Sequence, residues 1–540
     1  MKNKGFTLIE LLGVIIILAL VAVITTPVIT GIIEDSKKET VKRSVENIIS
    51  AAQIYIANEE LANKKVPKGK NIYEAVSKEI SGSKPEYAEI ISDGIGNIAY
   101  AILFRNNCYK KSYDGVQTIT EKSTIKDCKI VYAETILNGA YPVLDEKMIA
   151  ITYTEAGIPK VADESSEWYS YASRKWANAV VLVNNPSKTY NVGDEIEESD
   201  IAAYFVWIPR YEYTVKGDFG VNGESKAKSG YVDIKFTNVS EESNGTASYT
   251  EGNPTNYRTQ DAFKFGEENL SGIWVGKFET TGSADNPTIK PGITSLRYQN
   301  VSTQFETAKK IGINNSLSLE TSMMKSSEWN AVAILSQSIY GRCPSDSTCP
   351  EVSINNSAEY ITGSSGGSST ASSFSTVYAY DTSEGQTAST TMNITGVYDM
   401  NGGAAEWVMG VLLDSDGKPR SGNSEEYNSG FNGKIYNGGT EIEKTDGLAL
   451  PESKYYDSFT ITGENTKVDL TTGCNGEKCY GSVEFRGWYS DYSDSIGPAN
   501  PWLLRGGYYY LGARAGLWGF EGFYGNGFEG ISFRAVLRGA

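Results

Sequence analysis

The chain has no histidine. That removes the commonest general base and the commonest metal ligand together. No Ser-His-Asp or Cys-His pair can be assembled. Positive charge is also short. The chain has 49 Lys and Arg against 66 Asp and Glu, a formal net charge of −17. Binding to nucleic acid calls for a basic footprint, so nucleic acid is not an expected partner. Cysteine is sparse, six in 540 residues. The six fall as near neighbours: Cys108 with Cys128, Cys343 with Cys349, Cys474 with Cys479. An even count at close spacing reads as disulfides formed in an oxidising compartment. Zinc is the alternative, but none of the pairs has CxxC spacing.

What is present begins with GFTLIELLGVIIILALVAVITTPVI, from Gly5 to Ile29. A short basic leader precedes it, and no polar side chain interrupts Leu11 to Ile24. The run is near the roughly 20 residues that span a bilayer as a helix. A cleaved secretory signal places its small-residue cleavage site after the apolar core. Here Gly5 comes before the core. Glu10 lies inside the run, where a carboxylate costs about 2.5–3.5 kcal/mol on insertion scales. Cleavage after Gly5 frees the α-amino group of Phe6, which can pair with Glu10 of a neighbouring helix. Gly5, Phe6 and Glu10 closely resemble the class III signal of type IV prepilins and pseudopilins. Pro27 falls where many of these proteins kink their helix. The resemblance implies cleavage and N-methylation by a membrane prepilin peptidase. It also implies assembly with other pilins through the N-terminal helix.

Beyond the apolar run, Val41, Val45, Ile48, Ile49, Ala52 and Ile56 recur on one helical face. The expected helix spans 6–63, with 1–5 as leader and about 7–30 in the membrane. It makes a rod of roughly 85 Å, kinked or locally melted at Pro27. The basic run NKKVPKGK then reads as a solvated linker, with DNA capture as the sharper alternative. Residues 70–135 read as a small pilin-like head. Its segment NIAYAILFRNNCYKKSYDG alternates as a strand, and Cys108–Cys128 would staple that strand to the returning chain.

From about 140 the composition turns to aromatics, glycine and short loops. Residues 140–200 read as a connecting region and 201–540 as a display domain. SMMKSSEWNAVAILSQSIYGR (322–342) carries a helix, with Ser326 or Ser327 as N-cap and Gly341 near its stop. ITGSSGGSSTASSF (361–374) reads as a surface loop. Trp207, Trp274, Trp329, Trp407 and Trp502 are expected core anchors, each needing a partner for its indole N–H. WIP, GKFETTG, SSEW, GVYDMNGGAAEWV, RGG and SFR occur in that order. The set resembles the formylglycine-generating-enzyme (sulfatase-modifying factor) family, whose fold is a C-type-lectin-like variant. The generating enzymes hold copper on cysteines downstream of RGG, and no cysteine follows Cys479 here. Glu406 is the remaining candidate acid or base, with a structural role as the simpler reading. The domain is therefore expected to be non-catalytic. A divergent oxidase using Cys474 and Cys479 is the enzymatic alternative.

The stretch 508–530 interleaves aromatics with glycines, the composition of binding paratopes. The candidate ligand-binding residues are Tyr508, Tyr509, Tyr510, Leu511, Arg514, Trp518, Glu521, Phe523, Tyr524 and Phe528. Phe520, between glycines, is expected in the core. Core filling is the alternative for the other aromatics, but so many neighbours cannot all point inward. The tract resembles the variable region of retroelement-diversified proteins, which use the same lectin-like fold. Those proteins randomise template adenines, often in Asn codons. Tyr, Leu, Phe, Gly, Ala and Arg are reachable from an Asn codon through its first two bases, whereas Trp518, Glu521 and Glu529 are not.

The fold class expected is α+β: a long transmembrane and assembly helix, a small head, then a loop-rich C-type-lectin-like domain. The function expected is a minor type IV pilin or pseudopilin bearing an adhesive domain for a cell-surface protein or glycan. A structural pseudopilin of a secretion or competence system is the alternative. The chain would cross the cytoplasmic membrane once before assembly and then reach the cell surface or pilus, its C-terminal domain outside. No cofactor is expected. The acidic loops allow structural calcium, without diagnostic ligand spacing.

Overall fold

The protein is described here from a computed structural model. It describes Leu12, Ile15 and Ile16, residues 37–59, and most of 71–539. Residues 93–97, 112–116, 129–137, 217–230, 248–255, 344–348, 367–370, 421–427 and 462–465 are among the exceptions. Gly5, Phe6, Glu10 and Pro27 lie outside the described residues, as does most of the expected membrane segment. Leu12, Ile15 and Ile16 are helical and exposed. Among the described residues no helix is long and apolar enough to cross a membrane. The chain divides into two compact units, 1–134 and 135–540.

In the first unit, helix α1 (37–59) buries Val41, Val45, Ile48, Ala52 and Ile56 on one face. That is the stripe that the 3.6-residue period marks out. α2 is a single turn, Tyr73–Val76. The sheet is β1 (Tyr87–Ser92), β2 (Ile98–Phe104), β3 (Asn107–Lys111) and β4 (Thr118–Thr120), paired in that order. Strand side chains alternate faces. Ile98, Tyr100, Ile102 and Phe104 pack with the α1 stripe. Ala99, Ala101 and Leu103 pack against Cys108 and Cys128, which form a disulfide. The stretch expected as one strand is a hairpin. Arg105 and Asn106 have φ of +49° and +60°, a left-handed pair that reverses the chain tightly.

The second unit holds a seven-stranded sheet and a five-stranded one. The first comprises β5 (Met148–Tyr153), β6 (Pro159–Val161), β7 (Asn178–Leu182), β8 (Ile201–Pro209), β9 (Gly272–Gly276), β10 (Glu320–Met323) and β16 (Ala535–Arg538). Their order is β10-β16-β9-β8-β7-β5-β6. Residues 140–200 thus supply three strands of this sheet and are not a connecting region. One reason is hydrogen bonding. Trp207 and Trp274 face each other across β8 and β9, and their indoles donate to the carbonyls of Ala140 (2.9 Å) and Val143 (2.6 Å). Without 140–143 those two buried N–H groups would have no partner.

The second sheet is built on β11 (Ala405–Leu412), buried along its whole length. β11 pairs with β12 (Asp457–Phe459), β13 (Trp502–Gly506) and β15 (Ile531–Phe533). β14 (Gly516–Phe523) pairs with β13. Two helices complete the core, α3 (Val301–Asn314) and α4 (Ser326–Ser336). The α4 N-cap is Lys325, not a serine. Glu328 accepts from the Lys325 backbone N–H (2.8 Å). Asp457 accepts from the Ser327 N–H (2.7 Å) and hydroxyl (3.1 Å), so a carboxylate from another strand satisfies the free helix end. The expected loop at 361–374 begins in the interior. Thr362, Ser364 and Ser365 are buried, and the Gly363 N–H donates to Asp399 (2.8 Å).

Candidate functional site

The β13–β14 hairpin carries the candidate tract. Arg505 faces Phe520, and the register then slips so that Gly506 faces Gly516. The slip leaves residues 517–519 of β14 as a bulge, and residues 507–515 form the loop between the strands. Gly506 and Gly507 both take positive φ (+79° and +76°). A Cβ on Gly507 would lie 2.9 Å from the Ala515 Cα, so glycine is required there.

The loop and strand divide the expected site residues. Tyr510 is 54% exposed and Phe528 45%. Arg514 is exposed, while Tyr509, Leu511, Glu521, Phe523 and Tyr524 are half-buried. Tyr508 is buried, stacked on Tyr510 at 5.3 Å between centroids. Burial raises its phenol pKa. Trp518 is 1% exposed and stacks on Phe485 at 3.9 Å, with Trp488 edge-on at 5.8 Å. Trp518 is therefore core and is withdrawn from the candidate surface. It lies in the stretch 517–519 that the register slip leaves unpaired with β13, and Phe485 and Trp488 pack on it. Phe520 is buried, as expected.

Tyr508, Leu511, Arg514 and Glu521 line one pocket together with Tyr492 and Phe520. The cavity is about 20 Å³, room for one water-sized group. The Arg514 guanidinium lies 4.9 Å over the Tyr492 ring. Burial raises the Glu521 carboxyl pKa, Asp494 adds to the rise, and Arg514 opposes it. Phe523 lies instead near Trp407, Tyr524 and Phe528. Tyr492 was invisible in the sequence because it lies before the tract and meets it only in the fold, through Arg514 and Phe520.

Glu406 is in a closed place. Its carboxylate accepts from Arg534 Nη2 (2.5 Å) and Nε (3.2 Å), and both side chains are fully buried. Arg534 also donates to the carbonyls of Gly276 (2.7 Å) and Tyr398 (2.9 Å). Burial pushes the Glu406 carboxyl up, and the Arg534 guanidinium opposes the rise. Asp399 lies in the same interior with φ +61°, held by Gly363 N–H and Asn355 Nδ2 (2.9 Å). This arrangement ties β9, β11 and the segment after β15 together.

All three expected disulfides are formed, Cys343–Cys349 and Cys474–Cys479 in the second unit. The acidic loop Asp414–Asp416 already has a cation. Lys434 Nζ lies 3.2 Å from Asp414 and 3.1 Å from Asp416. Among the described residues no cluster of acids or cysteines is arranged to hold a metal. Of the expected indole partners, Trp329 donates to the Leu517 carbonyl (2.9 Å). The indole N–H groups of Trp407 and Trp502 have none among the described residues.

The family model of the prokaryotic N-terminal methylation motif matches residues 1–26. The chain thus carries the N-terminal signal of a type IV prepilin, the mark of a membrane-anchored precursor that is exported. No curated protein sequence matches the chain.

Proposed function

We propose that this protein is a minor type IV pilin or pseudopilin whose second unit is a non-catalytic, C-type-lectin-like binding domain. The observation that carries the reading is the methylation motif at 1–26 on a chain whose second unit presents aromatics to solvent. Tyr510 and Phe528 are large exposed rings, and both lie within the tract 508–530. The lectin-like assignment is supported by the ordered motifs and by Glu406 of EWV pairing with Arg534 of SFR. The non-catalytic assignment is supported by the absence of histidine and by the enclosure of Glu406. Size supports a minor role, since a domain this large is hard to repeat along a closely packed shaft. The ligand enters through the 508–530 surface.

The test is made on sheared filaments and on adhesion of cells with and without the gene. The expected result is a processed chain beginning at N-methylated Phe6, substoichiometric in filaments, whose loss abolishes adhesion to a surface. An unprocessed chain outside the filament fraction would overturn the pilin assignment. Normal adhesion without the gene would leave a structural pseudopilin.

A further inference from the structure

Tyr298 holds a backbone conformation that tyrosine rarely adopts. Its φ is +65°, strained for any residue with a Cβ. Its ring is nonetheless 64% exposed, so packing of the ring does not offset the strain. Strain at an exposed aromatic points toward use.

Its surroundings belong to the candidate surface. The Tyr298 N–H donates to the Phe528 carbonyl (3.2 Å). Next to it, the Arg297 guanidinium lies 3.9 Å over the Tyr360 ring and donates through Nη1 to the Glu529 carbonyl (2.5 Å). Tyr360 meets Tyr509 edge-on at 5.0 Å, and Tyr509 meets Tyr510 edge-on at 5.2 Å. Tyr298, Phe528 and Tyr510 are exposed and Tyr509 half-buried, while the buried Tyr360 lies beneath them and joins Arg297 to Tyr509. They come from three separate stretches of chain.

The chemistry of that surface narrows its ligand. Three of its four rings, Tyr298, Tyr509 and Tyr510, are phenols, each an apolar face with a hydroxyl at its edge. A sugar ring has the same division, an apolar face edged with hydroxyls. The net charge of −17 repels polyanions over the whole surface. Arg297 repels a cation locally, while its planar donors suit hydroxyl acceptors.

We propose that the Arg297–Tyr298 loop, seated on the buried Tyr360, completes the C-terminal tract into a composite stacking platform for an uncharged glycan. This rests on the binding role assigned above to 508–530. Binding works by stacking and direct hydrogen bonds, without a bridging cation.

The experiment uses the full chain in detergent micelles on an array of neutral and acidic glycans, with and without EDTA. The expected result is binding to neutral glycans that EDTA leaves unchanged. Tyr298→Ala should lose at least about tenfold in affinity, as central interface aromatics do, and Tyr360→Ala should weaken binding by unseating Arg297. Tyr298→Gly should lose binding while its melting temperature holds or rises, because it removes ring and strain together. That separates a binding defect from misfolding. If Tyr510→Ala abolishes binding and the Tyr298 and Tyr360 variants bind normally, the composite platform is wrong and the C-terminal site stands. Binding confined to acidic glycans, to a protein, or to calcium-loaded samples overturns the ligand class. Wild-type binding by Tyr510→Ala, or no binding by the wild type, overturns the underlying site as well.

Discussion

Trp518 and Tyr510 belong to one glycine-rich tract and have opposite roles. Trp518 is 1% exposed, and Tyr510 is 54% exposed. Trp518 lies in the bulge at 517–519, with Phe485 and Trp488 packed over its face. Tyr510 sits in the loop that joins β13 to β14. Aromatic density alone therefore does not mark a surface. Packing partners decide, because the bulge sets Trp518 against Phe485 and Trp488 and the connecting loop leaves Tyr510 facing solvent. The contrast extends to charge. The interior holds its acids with arginines, Glu406 with Arg534 and Glu328 with Arg538. The aromatic rim has Arg297 and Arg514 over tyrosine rings, with no such buried pair.

The contrast breaks first at Arg534. Arg534→Met should leave Glu406 buried and unpaired beside Asp399 and Glu279, whose charges already act on one another. Removing one partner of a buried pair costs about 3–5 kcal/mol. Thermal unfolding should shift sharply downward, and a wild-type melting curve would show that the pair is not a structural anchor. The next test sets the two aromatics against each other. Trp518→Ala should destabilise by about 3–5 kcal/mol, as large core truncations do. Tyr510→Ala should move stability by less than about 0.5 kcal/mol, its effect falling on ligand binding instead. Equal melting shifts in the two variants would erase the distinction between core and rim.

Much of the first unit was legible in the sequence, because its order is local. The α1 stripe follows directly from spacing, and close cysteine pairs admit few partners. The hairpin at Arg105-Asn106 was missed although asparagine favours turns, because arginine at the first turn position carries no such signal. In the second unit the tryptophan anchors could be named, but what they bond to could not. Ala140 and Val143 offer only backbone carbonyls, which leave no trace in composition. For the same reason the 140–200 stretch gave no sign that it supplies three strands. Composition marked the aromatic tract but not which of its rings face solvent. Trp518 misled because its burial depends on Phe485 and Trp488. Arg297 and Tyr298 were missed because a positive φ at tyrosine has no residue-type signal.

The smallest expected effect concerns an interior acid without an arginine. Glu484 is buried. Its Oε2 accepts from the Gly481 N–H (2.7 Å), and its Oε1 has no partner among the described residues. Burial pushes its carboxyl up to about 7, partly opposed by backbone hydrogen bonds and Lys478. A carboxyl raised in the folded state binds its proton more tightly there than in the unfolded chain. Its contribution to stability is full below the unfolded value of about 4.3 and is lost as pH rises through about 7. Glu351, also pushed up to about 7 by burial, acts in the same direction. The melting temperature should therefore rise as pH falls from 8 to 5. Below that range the trend reverses, because Asp145 and Asp469, held low by hydrogen bonds despite their desolvation, lose stability on protonation. Glu484→Gln keeps the shape and removes the ionisation. It should raise the melting temperature at pH 8 by about 1–3 °C, change little at pH 5, and flatten the profile between them. An equal shift at both pH values would mean that Glu484 acts through packing, and the interior would then hold its unpaired acid as easily as its paired ones.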